Sequence, residues 1–383
     1  MASICTRCAL RLQRAAQSQT RQATHRAFSQ TSKRAKHHGL PTFAETSTPE
    51  LDDILLTLRN KHLIPANLHK SERRLIFGTK YRQQLLDNPQ TALVGDEEVP
   101  LTWIDRRKEI PSRNKLFVRA LELMSKGARD EYGGDWKNLT ALLTALKGVS
   151  KSKGHEKRDV REERMGRIVR KVAEAGHLEI VIHCLKISKQ TGLSLKQEDV
   201  LENVVWAMHH AAQKAGWSEE AVTKSLKHAR AIGLLLESEQ HGGGAVLRED
   251  DPRTRPEVVG VFLELSAVFA YRYGGGKDED GSVKMYAERL LSCIGEHAQP
   301  PSRAPAPTGP QMEMLHGVPI WHGLMLAENI LGRDLPQPQL AKKIRQDYEA
   351  GLEILAQAIE AQTPAPGSYG EQALVAWKEC VRE

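Results

Sequence analysis

At 383 residues, with 40% apolar and only 5% aromatic side chains, the chain can bury a sizeable core of Leu, Val, Ile and Ala, a composition that favours helices over strands. Its formal net charge is +7, but residues 1–44 hold eight Lys or Arg and no acid, so +7 less +8 leaves −1 for residues 45–383. Whole-chain basicity therefore says nothing about a nucleic-acid partner; only local patches can.

Residues 1–36 are rich in Arg, Ser, Gln and Ala, as mitochondrial transit peptides are. Arg7, Arg11 and Arg14 with Leu10, Leu12 and Ala15 make a short basic amphipathic helix. Arg26-Ala27-Phe28-Ser29 fits an Arg-x-Phe/Ser processing pattern, which predicts a transit peptide over 1–28 and a disordered linker over 29–48. A secretory signal would need about 7–15 uninterrupted apolar residues, and a bilayer span about 20. The most apolar run, 258–271, carries Glu264 and predicts a buried helix. These features predict a mitochondrial matrix protein with no integral membrane segment, with peripheral contact at the inner membrane left open. Cys5-x-x-Cys8 has metal spacing but lies in the segment expected to be removed; Cys184, Cys293 and Cys380 are scattered, as small core residues are.

Along the rest of the chain helices dominate. Thr48-Pro49 with Glu50 and two Asp opens a helix over 49–60. Residues 62–111, with Asp87-Asn88-Pro89 and Gly95-Asp96, predict short helices and loops; 49–134 forms a basic helix/loop region. Ser112 caps a helix bearing Leu116, Phe117, Ala120, Leu121 and Met124, and Asp135 caps another with Leu139, Leu142, Leu143 and Leu146 in a stripe. A helical-repeat region follows over 135–298, with helices at 158–175, 177–190, 197–215 and 218–237 and Gly176, Gly192 and Gly216 at the joins. Ala175-Gly176-His177-Leu178-Glu179 aligns with Ala215-Gly216-Trp217-Ser218-Glu219 at an offset of 40, a period in the range of helical solenoids. A loop over 238–255, made flexible by Gly242-Gly243-Gly244, precedes helices at 256–272 and 281–295. A Pro-rich linker (299–310) leads to C-terminal helices over 311–383, at 311–332, 338–361 and 370–382. The fold class predicted is all-α, helical-hairpin repeats of α-solenoid type behind a disordered leader.

The stretch from Arg167 to Glu179, followed by Leu185-Lys186 and Gly192, resembles one pentatricopeptide repeat, and Gln213 to Ala221 resembles a second copy. The leader, the repeat region and the segment from Asp251 to Val258 are also similar to a group of fungal mitochondrial proteins. The first resemblance implies an organellar RNA-binding protein that reads bases through positions on the first helix of each pair. The counterparts of those positions are Arg167 and Ala207, neither of them the Asn, Ser or Thr of the family's base code, and a period near 40 exceeds the family's mid-thirties.

Three basic clusters are candidate RNA- or partner-binding sites. On a helix, Lys157, Arg161, Arg164, Arg167 and Lys171 fall within an arc of about 120°, beside the apolar arc of Met165, Ile168, Val169 and Val172. Segregated cations suit a phosphate backbone, though i,i+4 pairs such as Glu163–Arg167 suit a solvated face equally. Arg73 and Arg74 lie near Phe77 and Tyr81, and Arg106 and Arg107 lie between Trp103 and Phe117; these aromatics either stack bases or anchor the segments on the solenoid. Catalytic motifs are missing: there is no G-x-S-x-G, H-E-x-x-H or P-loop, and His209-His210 and His183-Cys184, adjacent on helices, point about 100° apart and cannot share a metal. The expectation is therefore a protein without enzymatic activity or cofactor that binds mitochondrial RNA or a ribonucleoprotein in gene expression. The alternative is a protein-binding scaffold or assembly factor for the mitoribosome or a respiratory complex.

Overall fold

The computed structural model describes residues 40–127, 133–151, 162–247, 251–294 and 309–381. The predicted transit peptide, the linker as far as residue 39, Cys5 and Cys8, and most of the Pro-rich stretch lie outside them.

Helix starts follow the local chemistry. Pro49 opens α1 (Pro49–Leu58) from an extended Thr48, with Glu50 and Asp52 in the first turn, the end of the helix that favours negative charge. Residues 40–48, expected in a disordered linker, are instead pinned. Ala44 and Asn138 exchange two hydrogen bonds (2.7 and 2.9 Å), and Ser47 donates to Asp135 from its amide (2.7 Å) and hydroxyl (2.6 Å). The reason is that Asp135 and Asn138 are buried and need donors and acceptors there. Asp135 is thereby taken from the capping role expected of it, and a 3-10 turn (Gly134–Asn138) leads into the following helix.

Residues 62–111 hold more than short helices and loops. After α1, a π-helical segment (Arg59–Leu63) leads into α2 (Ile64–Asn67), then α3 (Lys70–Phe77) and α4 (Arg82–Asp87). An antiparallel hairpin follows, β1 (Gln90–Val94) with β2 (Glu97–Leu101), Val94 opposite Glu97. Gly95 supplies the positive φ (66°) that a two-residue loop needs at its first position. Ala92, Val94, Val99 and Leu101 all face one side and, with Ile64, Leu68, Ile76 and Leu85, form a small core of their own.

The remaining helices are α5 (Arg113–Lys126), α6 (Leu139–Lys151), α7 (Glu162–Glu174), α8 (Leu178–Lys186), the short α9 (Ser188–Thr191), α10 (Glu198–Lys214) and α11 (Glu219–Leu236). The joints of the hairpins α7–α8 and α10–α11 share one bonding pattern. His177 N donates to Val172 O and Gly176 N to Ala173 O; Trp217 N donates to Ala212 O and Gly216 N to Gln213 O. Both are helix ends capped through a left-handed glycine. First helix packs on first and second on second, α7 against α10 and α8 against α11. Where α7 meets α10, a Cβ on Gly166 would lie 2.6 Å from Asp199 Cβ, so the contact needs glycine.

The described parts of the loop after α11, 237–247 and 251–255, are anchored, contrary to the expectation of flexibility. His241 is buried, accepting from Leu195 N at Nδ1 (3.1 Å) and facing Leu185 O with Nε2 (3.1 Å), and buried Arg253 bonds Asp251, Glu237 and Gly244 O. Beyond it come α12 (Pro256–Arg272), α13 (Ser282–Ile294), α14 (Pro310–Leu331), α15 (Pro338–Ala361) and α16 (Tyr369–Val381). α14 lies against α12 so closely that a Cβ on Gly260 would come within 2.5 Å of Ile320 Cγ1. One apolar cluster runs from Leu51 to Cys380, so the helices after the Pro-rich stretch share the core of the repeats. The fold is all-α with helical hairpins, as the sequence predicts. None of the described helices is long and apolar enough to cross a membrane.

Candidate functional site

Of the basic arc predicted on one helix, α7 carries Arg164, Arg167 and Lys171; Lys157 and Arg161 lie outside the described residues. Arg167 is exposed while Arg164 and Lys171 are half-buried, and none of the three pairs with a carboxylate whose side chain is described; the side chain of Glu163, the i,i+4 partner weighed for Arg167, is not among these. The apolar arc faces inward, with Met165, Ile168, Val169 and Val172 all buried. Arg170, one position outside the arc, is paired instead, donating to Glu174 at 2.7 Å.

The second candidate patch surrounds the hairpin. Arg74, Arg106 and Arg107 are exposed; Arg73 is half-buried and donates to Leu68 O at 3.3 Å. The aromatics among these cations are already occupied. The Arg106 guanidinium lies 4.1 Å from the Phe77 ring centre, and that of Arg82 lies 4.9 Å from Trp103. Phe77 and Trp103 pack on the small core around the hairpin, so they anchor this segment, though on its own core and not on the repeats. What remains outward is the charged ends of Arg74, Arg106 and Arg107.

Two polar features escaped the sequence reading. In the core, Glu264 of α12 is fully buried; His209 Nδ1 donates to one of its oxygens (2.5 Å) and His322 Nδ1 to the other (2.8 Å). Burial alone would raise this carboxyl, but the charge and hydrogen bonds of His209, with those of His322, hold it at about 2. Trp217 meets the edges of both imidazoles, each with ring centres 5.5 Å apart. Cys380 completes a set with Glu264 and His322 whose ligand atoms all lie within 4.8 Å of one another. That set resembles a metal site in composition, but both carboxylate oxygens are bonded to imidazole N–H groups at hydrogen-bond spacing. Burial, with the Glu264 charge, also pushes the Cys380 thiol well above its usual range. The arrangement is a neutralised polar tie between helices.

The second feature is an open cleft of about 420 Å³ where α7, α10 and α11 meet α16. Both repeat joints line it, at Ala175-Gly176 and Ala215. The offset of 40 carries Arg170 onto His210 and Glu174 onto Lys214, and all four face the cleft. The C-terminal helix supplies the far wall. Tyr369 donates its hydroxyl to Asn203 Oδ1 (2.9 Å) beneath the Arg170 guanidinium, 3.8 Å from its ring centre, and Trp206 Nε1 donates to Gln372 Oε1 (3.2 Å). Burial lowers the pKa of His210 and of His228, with nearby charges adding to the effect, so both imidazoles favour the neutral form. His210 Nδ1 is buried without a hydrogen-bond partner.

Comparison with known proteins gives these features a setting. A family profile described as mitochondrial ribosomal protein mS27 matches residues 26–379. The small ribosomal subunit protein mS27 of Neurospora crassa is 27% identical over an alignment of 253 positions that covers 64% of this chain. The match spans 61% of the length of that relative. The similarity to fungal mitochondrial proteins read in the sequence is thereby confirmed. This chain belongs to the mitochondrial ribosomal protein mS27 family.

Proposed function

We propose that the chain is a structural, non-catalytic part of the small subunit of the mitochondrial ribosome, acting in the matrix as a helical scaffold that holds ribosomal RNA and neighbouring proteins. The observation that carries this reading is the family match over residues 26–379. Between the two assemblies considered from sequence, that match favours the ribosome over a respiratory complex. A scaffold held within a particle also suits the charge better than a free RNA-binding factor does, since residues 45–383 are close to neutral. Their cations gather where phosphates can be met, at Arg164, Arg167 and Lys171 on α7 and at Arg73, Arg74, Arg106 and Arg107 beside the hairpin. We read the hairpins as pentatricopeptide-like in origin, supported by joints that share two backbone hydrogen bonds at an offset of 40. They hold the surface in place without a base-by-base code.

The test is sedimentation of the tagged chain from a mitochondrial lysate through a sucrose gradient. It should travel with the small-subunit ribosomal RNA, remain with it in about 0.3 M salt, and shift to smaller ribonucleoprotein fragments after partial RNase digestion. Recovery at the top of the gradient in low salt, while other small-subunit proteins sediment normally, would refute the reading.

A further inference from the structure

Resting on the reading of the chain as a ribosomal component, we propose that the cleft between α7, α10, α11 and α16 binds a single nucleotide, taking the base between its planar side chains and the phosphate at its lysine rim. The volume of about 420 Å³ lies within the range of sites that hold one small organic ligand. Its interior offers flat faces: the imidazole of His228, the face of His210 turned away from Trp206, which stacks on the other (ring centres 5.8 Å apart), and the face of the Arg170 guanidinium turned away from Tyr369. Bases stack on aromatic rings and on guanidinium planes alike. A neutral imidazole carries one donor and one acceptor, the pair of functions that a base edge displays, and both His210 and His228 line the cleft.

The charges point the same way. The cleft is lined by three cations, Arg170, Lys214 and Lys224, and by one carboxylate, Glu174. That carboxylate is held by Arg170 at 2.7 Å, and Lys224 reaches only the exposed Glu179, at 3.9 Å. Lys214 is exposed, and no carboxylate among the described residues pairs with it. An anion entering the cleft therefore meets the free ammonium of Lys214, a second ammonium on Lys224 held only by its 3.9 Å contact with Glu179, and no unpaired carboxylate inside. A smaller cleft of about 160 Å³ adjoins it, sharing Glu174 and Ala175, and is lined by Lys171 of the basic arc.

The same chemistry has two sources, an unstacked nucleotide of an RNA strand or a free mononucleotide, and titration of the purified full-length chain separates them. AMP and UMP are titrated calorimetrically to about 1 mM, and fluorescently labelled eight-residue oligoadenylate and oligouridylate are followed by anisotropy. An octamer that binds at least about tenfold more tightly than its mononucleotide identifies a strand; equal affinities identify the free nucleotide. Either result supports the proposal if Ala211→Trp, which fills the cleft from the exposed face of α10, weakens binding at least about tenfold, and if Lys214→Glu with Lys224→Glu weakens it comparably. No saturable binding, binding untouched by Ala211→Trp, or equal binding of an eight-residue oligoglutamate would overturn it. Sedimentation keeps the two readings apart: a chain that travels with the small subunit but binds no nucleotide loses only the cleft, and one that binds AMP but sediments free loses only the ribosomal assignment.

Discussion

Glu264 and Glu202 are two carboxyl groups pushed in opposite directions by their surroundings. Glu264 is held at about 2 against an ordinary 4.5, so its ionised form stabilises the fold above pH 4.5, and that contribution is lost as pH falls from about 4.5 toward about 2. Replacing it by Gln leaves two buried imidazole N–H groups facing one acceptor and one amide. Glu264→Gln should cost about 3–5 kcal/mol in urea unfolding at pH 7.5; a loss below about 1 kcal/mol would contradict the account of the buried tie. Glu202 is raised to about 7 by burial and then by Glu198, with Arg255 opposing. Its stabilisation is complete below pH 4.5 and is lost as pH rises through 7, so at pH 8 the charged group opposes folding. Glu202→Gln should therefore raise the melting temperature at pH 8, with the gain shrinking toward pH 4.5. The sequence showed that Glu264 sits in an apolar helix. It could not show why a charge is tolerated there, because the partners lie 55 and 58 residues away. Adjacency ruled out a shared metal for His209 and His210, yet His209 turns inward to Glu264 while His210 lines the cleft.

At the scale of elements, helix packing explains which glycines are replaceable. Gly166→Ala would place a Cβ 2.6 Å from Asp199 Cβ and 3.0 Å from its carbonyl oxygen, forcing α7 off α10. Overpacking of about 1–3 kcal/mol outweighs the gain of up to about 1 kcal/mol in helix propensity. Gly233, inside α11, meets nothing nearer than Phe262 Cε2 at 3.7 Å, so Gly233→Ala should stabilise by up to about 1 kcal/mol. Thermal melts of both variants check the pair, and a stabilising Gly166→Ala would show that the α7–α10 contact is looser than described. Most helices were legible because proline starts and glycine stops are local chemistry: the bounds 256–272 and 338–361 agree with the structure residue for residue. The hairpin was missed although its signals are also local. Ala92 and Val94, then Val99 and Leu101, alternate inward about Gly95-Asp96. Each strand has only five residues and Pro100 sits in one of them, so composition drew the reading toward loops.

For the whole molecule, the offset of 40 revealed the stacked hairpins but not the return of the C-terminal helix onto them. That return makes the cleft, through contacts such as Trp206 with Gln372 across 166 residues, which no sequence period encodes. Of the cations picked out from charge patterning, the structure leaves Arg167 on α7 and Arg74, Arg106 and Arg107 beside the hairpin facing outward. Phosphate contacts at both places would make attachment depend on salt. Reversing Arg74, Arg106 and Arg107 together to Glu should release the chain from the particle at a lower salt concentration than the unaltered chain, measured by gradient sedimentation at stepped ionic strength. The most direct measurement is electron cryomicroscopy of the small mitochondrial ribosomal subunit purified from the source organism. The account predicts density for α5 to α16 in the arrangement described, with Arg167 or the hairpin cations against ribosomal RNA phosphates. A complete particle with no density for this chain would contradict it.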